Sequence, residues 1–346
     1  MVSRVMDSGP KVLVLGAGRR VRDHIAPALF GLGLTRSDIT IVRRRAAAGE
    51  GLLEGIPVRD WHALAPQYGL VLNCVCQHNL VETQTRALRL FPGAMHFCDT
   101  PIFFKFIQLP ATLGLARSSN LYSLEDWPFM PNLPPIFGLC RKAADDYHLR
   151  FEHIGIPTHF FSVARSVAAI GRRRRIRLVI RRRNITTDLA LGGQARCVLV
   201  KPEEDMCAKI SCWANGQLIE DFYELRSATE AVFHPEVVSR VLDGVRLRYF
   251  LGAHCLREVL IPAEVAARFH GRTDRRAAHD LDKIAGLMDV LGSALAGQPA
   301  AYAYSDSVHD AVAARLEARA RFAWAFPAPY RGDHRPPMSY LQHASE

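Results

Sequence analysis

Lys11-Val12-Leu13-Val14-Leu15-Gly16-Ala17-Gly18, followed further on by Ile39-Thr40-Ile41-Val42-Arg43-Arg44-Arg45, is the stretch that decides the fold. Four consecutive apolar residues that stop at Gly-Ala-Gly read as a strand buried on both faces and ended by a tight turn. Ile25, Ala28 and Leu29 then recur at helical spacing in a segment beginning near Arg20, and Ile39 to Val42 form a second apolar strand. Strand, glycine turn, helix and strand within one crossover-sized unit predict a dinucleotide-binding α/β domain. Gly16 permits the turn, and Gly18 lets the backbone approach a pyrophosphate at the helix N-terminus, with Arg19 and Arg20 beside it. The third glycine of G-x-G-x-x-G is replaced by Val21, so the fingerprint is partial. A bare GxG also suits an ordinary strand-to-helix turn.

At the end of the second strand an NAD site usually places an Asp or Glu against the ribose hydroxyls. Arg43, Arg44 and Arg45 stand there instead. A guanidinium at that point pairs with a 2′-phosphate, which predicts NADP in preference to NAD. The other reading is a solvated basic turn.

The 346 residues suffice for two domains with separate cores, and an apolar fraction of 49% with 23% charged residues is that of a globular protein. No run approaches the roughly eighteen apolar residues of a membrane span, and Met1 to Pro10 carries no apolar stretch of signal-peptide length. A cytoplasmic protein without a membrane partner is the expectation. The eight cysteines are scattered and fit neither a disulfide framework nor a zinc knuckle. Histidines lack metal-ligand spacing and no Gly-x-Ser-x-Gly elbow occurs, so no metal site and no covalent hydrolase chemistry are expected. Much of the net charge of +10 lies between Gly171 and Arg183, where eight of thirteen residues are arginine. The run is read as a basic, solvated strand and turn rather than a nucleic-acid surface, with a grip on a substrate phosphate compatible with either.

Beyond Val42, Gly55 to Val58 and Trp61 to Leu64 read as a short strand and turn. Gly69 to Val75 read as a buried parallel strand, Leu80 to Leu90 as a helix, and Ala94 to Cys98 as another strand leading to Asp99-Thr100-Pro101. Farther on, His159 to Val167, Ile176 to Ile180, Cys197 to Val200, Ala208 to Ala214 and Arg246 to Leu251 alternate apolar and polar residues, which predicts a mostly antiparallel sheet.

The GxG turn, the middle segment Cys76-Gln77-His78 and the later Asp99-Thr100-Pro101 together resemble the Gfo/Idh/MocA oxidoreductases, whose corresponding segments are of Thr-Pro-Asn and Glu-Lys-Pro type. Ser123 to Met130 then resembles the passage into the substrate domain, Pro135 to Ala144 its first helix, and Asp280 to Ala296 with Gln298 to Ala325 the closing helices, linked by Ala301 to Asp306. The resemblance implies a Rossmann-type dinucleotide-binding domain over 1–122. An α+β domain with an open, mostly antiparallel sheet follows over 123–330, then a tail over 331–346. It also implies homo-oligomers formed through the second domain's sheet. Cofactor contacts are expected from Gly16, Gly18, Arg19, Arg20, Arg43, Arg44, Cys76, Gln77, His78, Asp99, Thr100 and Pro101.

Two departures stand out. The family's lysine falls at Thr100, whose hydroxyl cannot act as a cationic donor, and the Asp/His pair expected after a Gly-Gly segment does not follow Gly192 and Gly193, which lead into strand-like Arg196 to Val200. Protons for any redox chemistry must come from other groups near the cleft, and Asp126, Lys142 and His148 are the candidate catalytic residues. Asp99 either contacts cofactor or anchors a strand end, and His78 is either a cofactor contact or an exposed loop residue. Glu125 and Asp126 either bind substrate or act as base, or cap the turn that follows. Lys142 and Asp146, four apart, fit a surface pair. The expected function is an NADP-preferring oxidoreductase acting on a small polar metabolite: a sugar, a nucleotide-linked sugar or an imine of a specialised biosynthetic pathway. The alternative is a non-catalytic relative that binds cofactor or metabolite as a scaffold or regulator.

Overall fold

The computed structural model describes residues 11–43, 51–64, 67–76, 78–100, 102, 106–142, 147–152, 177–181, 186–192, 195–200, 209–221, 225–227, 234–300, 303–308 and 310–312. Its contacts divide the chain into two compact units. The first comprises 1–129 with 283–311, and the second 130–282 with 312–346.

In the first unit, β1 (Val12–Leu15), β2 (Ile39–Val42), β3 (Val58–Arg59), β4 (Leu70–Asn73), β5 (Met95–Asp99) and β6 (Leu121–Leu124) form one sheet in the order β3-β2-β1-β4-β5-β6. Every pairing is parallel. β1, β2 and β4 are buried at every residue, because a sheet covered on both faces leaves no polar side to alternate with. Leu13, Leu15, Val42, Val71 and Ala87 share a core with Tyr68 and Phe91, whose rings meet edge to face at 5.5 Å. Each such fully buried Leu or Val contributes about 1.5–3 kcal/mol.

The helix after the glycine turn takes the wider π form over Val21–Ile25 before continuing as α1 (Ala26–Gly31). α2 (Leu80–Leu90) matches the predicted helix. A buried polar chain fastens it to the sheet: Asn73 Nδ2 donates to the Leu80 carbonyl at 2.8 Å and to Gln84 Oε1 at 3.1 Å, and Gln84 Nε2 lies 3.3 Å from His96 Nδ1. Burial lowers the His96 pKa, which keeps that ring neutral. The Asp280 to Ala296 expectation corresponds to a longer helix, α5 (Arg275–Leu295). From Lys283 onward it belongs to the first unit. There a Cβ on Gly31 would meet Met288 Sδ at 2.7 Å, and one on Gly292 would meet Leu32 at 3.0 Å, so these two glycines allow the close crossing. The chain then returns to β6, where Tyr122 bridges Ala303 and the Ser123 and Ser307 hydroxyls lie 2.7 Å apart.

This return, and the pairing of β6 with β5, place the division after Phe129 rather than after 122, which falls inside β6, and bring 283–311 back to the first unit. The tail 331–346 lies outside the described residues, as do His159 to Val167 and all of the arginine run except Arg177–Arg181.

In the second unit, α4 (Leu133–Lys142), numbered after α3 (Leu109–Leu115) of the first, packs on a six-stranded sheet. Its strands are β7 (Tyr147–Glu152), β8 (Arg177–Arg181), β9 (Thr186–Gly192), β10 (Ala195–Val200), β11 (Lys209–Ala214) and β12 (Gln217–Asp221), in the order β12-β11-β7-β10-β9-β8. Pairing is antiparallel except between β10 and β7. A smaller sheet runs β13 (Leu225–Ser227), β14 (Val238–Asp243), β15 (Arg246–Leu251), β16 (His254–Leu260). The unit's core holds Arg240 at 0% exposure, with Nε 2.8 Å from Asp282 and Nη1 2.7 Å from Asp221. The Tyr249 hydroxyl donates to Asp282 at 2.9 Å. Two carboxylates around one guanidinium satisfy a charge that could not otherwise be buried.

Candidate functional site

The order β3-β2-β1-β4-β5-β6 reverses direction between β1 and β4, and in such sheets ligands sit beyond the carboxyl ends of the strands at that switch point. The Gly16-Ala17-Gly18 turn leaves β1 there. The two glycines differ in what they meet. Gly16 has φ +107° and a Cβ on it would lie 2.7 Å from the Cys74 carbonyl oxygen, so the fold itself requires glycine. Among the described residues beyond its chain neighbours, a Cβ on Gly18 would meet nothing within 4 Å, although its carbonyl accepts from Val21 N at 3.1 Å at the head of the helix. The described residues leave the space over Gly18 open, beside a helix N-terminus whose amides suit an anion. Val21, in the place of the third glycine, is 1% exposed and begins the π segment.

The sequence-predicted contacts gather along this edge to differing degrees. Arg19 pairs with Asp23 one turn along the helix at 3.0 Å. Arg43 follows β2 and is partly buried. Cys76 is exposed, with Asn79 Nδ2 3.4 Å from its sulfur, and the His78 carbonyl accepts from Gln108 at 3.1 Å. Arg44, Gln77 and Pro101 lie outside the described residues.

Arg20 reaches across the edge to Asp99 at the end of β5 and to Asp126 just past β6. Its Nη1 donates to Asp126 Oδ2 at 2.7 Å, and Nε lies 3.5 Å from Asp99 Oδ1. Burial alone would lower the Arg20 pKa, but Asp126 and Asp99 more than offset it and the guanidinium stays charged. Burial likewise works against ionised Asp126, yet Arg20, Lys283 and His24 hold its carboxyl well below the usual range. Burial prevails at Asp99, whose pKa rises despite Arg20.

Glu125, the neighbour of Asp126, is 1% exposed. Its Oε1 accepts from Trp127 N at 3.2 Å, capping the turn Trp127–Phe129, and its Oε2 accepts from the Thr100 hydroxyl at 3.1 Å. Burial, reinforced by the charge of Asp126, lifts its pKa to about 7. Capping and a shifted acid therefore coexist in one residue. Of the other candidate catalytic residues, Lys142 is exposed at the end of α4 and His148 stacks on Trp213 at 5.4 Å across the β7–β11 register; both belong to the second unit. Sequence reasoning passed over the Thr100–Glu125 bond, because nothing local signals a contact between residues 25 apart that follow separate strands. Among the described residues no three His, Cys, Asp or Glu side chains converge as metal ligands, and no helix is long and apolar enough to cross a membrane.

No family model matches the sequence, and no curated protein does. Solved structures do match. The chain is similar to a Gfo/Idh/MocA family oxidoreductase from Vibrio cholerae, at TM-score 0.60 and 11% identity over 91% of this chain and 99% of that one. It is also similar to an oxidoreductase from Agrobacterium radiobacter in complex with NAD+, L-tartaric acid and magnesium, at TM-score 0.55 and 12% identity over 91% and 97%. A 3-ketoreductase from Actinomadura kijaniata in complex with TDP-benzene and NADP matches at TM-score 0.54 and 13% identity over 90% and 98%. At these identities the likeness is one of fold. The chain has the fold of the Gfo/Idh/MocA oxidoreductases, a Rossmann-type domain followed by an α+β domain.

Proposed function

We propose that this protein is a nicotinamide-dinucleotide-dependent oxidoreductase that acts on a small polar, sugar-like metabolite and prefers NADP to NAD. The observation that carries the reading is the open space over Gly18 at the switch point of a β3-β2-β1-β4-β5-β6 sheet, beside a Gly16 that the fold requires for its own packing. Two proteins of the same fold are described with NAD+ or NADP bound. Gly16, Gly18 and the helix N-terminus would hold the pyrophosphate. Arg43, with Arg44, would pair with a 2′-phosphate, and Cys76, Gln77 and His78 would line the path toward the nicotinamide. Such a cofactor supplies the electron pair, and the chain supplies orientation and proton handling. We propose further that the protein self-associates through the sheet of its second unit.

A second reading, a non-catalytic binder of the same dinucleotide, draws on Thr100 in the place of a lysine and on the engagement of Arg20 by two acids. Calorimetric titration with NADPH and NADH tests the first requirement of both. Micromolar binding, tighter for NADPH, supports the cofactor site; absence of binding by either nucleotide removes the oxidoreductase reading.

A further inference from the structure

We infer that Glu125 and Thr100 form a proton relay at the carboxyl edge of the first sheet, with the threonine hydroxyl as the group that meets substrate and Glu125 as the proton store behind it. The inference rests on the oxidoreductase reading above and names the proton handling it needs. Three observations carry it. The hydroxyl donates to Glu125 Oε2 at 3.1 Å. Thr100 is partly exposed where it follows β5, while Glu125 is 1% exposed, so the hydroxyl is a bonded group that links the sealed carboxyl to the surface. The second carboxyl oxygen is held by Trp127 N at 3.2 Å, which fixes the acid toward Thr100.

The surrounding charges keep this acid apart from its neighbours in behaviour. Asp126 and Arg20 act on Glu125 directly; Asp126 is itself held ionised against its burial by Arg20, Lys283 and His24, and Asp99 lies 3.5 Å from Arg20 Nε. Burial and the fixed negative charge of Asp126 leave Glu125 titrating near pH 7, the range in which a carboxyl both gives and takes protons.

In the oxidising direction a substrate hydroxyl gives its proton to Thr100 Oγ1 as the threonine's own proton passes to Glu125 Oε2. An oxidised nicotinamide, when bound, would accept the C–H electron pair as hydride as the C=O bond forms. Reduction reverses each transfer: Glu125 returns its proton to Thr100, which protonates the carbonyl oxygen, and Glu125 ends as carboxylate. Such a relay supplies the proton without a lysine.

The test is an infrared pH titration of the carboxyl bands of the full-length protein, run on wild type, Glu125→Gln and Thr100→Val, each with NADP+ and with NADPH. Calorimetry on the same samples reads binding separately. The relay predicts one carboxyl with a midpoint near pH 7 that is missing from Glu125→Gln. The midpoint should rise in Thr100→Val, which loses a bond favouring the carboxylate. It should also lie about half a unit or more lower with NADP+ than with NADPH, because the oxidised ring is cationic. A Glu125 remote from the nicotinamide would not respond to the oxidation state of the ring. Bound dinucleotide with a midpoint indifferent to that state overturns the relay. Absence of dinucleotide binding overturns it too, but through failure of the cofactor reading, which the calorimetry identifies.

Discussion

Arg20 Nη1 lies 2.7 Å from Asp126 Oδ2, joining the first helix of the dinucleotide-type sheet to a loop 106 residues later. The pair ties the turn after β1 to the end of β6. Asp126 is 4% exposed and Arg20 21%. Removing the guanidinium leaves a nearly buried carboxylate without its main counter-charge.

Arg20→Ala is therefore expected to destabilise the protein by about 2–3 kcal/mol at pH 7, below the full cost of breaking a sealed pair because part of Arg20 meets water. Asp126 has a depressed pKa, so its contribution is present above the usual carboxylate range and is lost as pH falls through and below it. Denaturant unfolding at pH 7 and at pH 4 should show the deficit shrinking at the lower pH.

Glu125 has the opposite sign. Its folded pKa of about 7 stands above the ordinary 4.5, so folding favours the protonated form, and the stability linked to it is full below pH 4.5 and declines as pH rises to 7. Over that window Glu125→Gln should gain on wild type by an amount on the order of 3 kcal/mol. Parallel unfolding curves of the two proteins at pH 5 and pH 8 measure it, and a constant difference between them would contradict the shifted acid.

Arg43→Ala is expected to weaken NADPH binding about tenfold and to leave NADH binding within twofold, the outcome of losing one charge-assisted contact to a 2′-phosphate. Equal weakening of both nucleotides would assign Arg43 to the fold rather than to cofactor choice.

In the second unit, Tyr249→Phe removes a hydrogen bond donated to Asp282 at 2.9 Å and should cost about 1.5–3 kcal/mol, the range for bonds to charged groups. Denaturant unfolding reads the cost directly.

The first hundred residues were legible because parallel strands covered on both faces write themselves as near-continuous apolar runs: Val12 to Leu15, Ile39 to Val42 and Leu70 to Asn73 are each buried at every position. Helix Leu80–Leu90 was legible through its spacing. Antiparallel strands such as β15 and β11 showed in alternation, but the parallel β7–β10 contact did not, since register between distant strands leaves no local mark. The return of 283–311 to the first unit depends on Gly31 facing Met288, a shape match across more than two hundred residues. The candidate edge was read residue by residue as Gly16, Gly18, Asp99, Thr100 and Asp126. Its wiring was not: Arg20 to Asp126 and Thr100 to Glu125 are choices among partners that only the assembled sheet brings within reach.

The central claim, that a dinucleotide occupies the open space over Gly18, is tested most directly by titrating Gly18→Val with NADPH beside wild type. Among the described residues none beyond its chain neighbours comes within 4 Å of a Cβ there, and the backbone is not left-handed, so the variant should fold with a cost of about 1 kcal/mol at the helix start. The expected result is a folded variant whose NADPH affinity falls at least about a hundredfold, as a side chain in the pyrophosphate's place would impose. A folded variant that binds NADPH as tightly as wild type would show that the dinucleotide does not sit there.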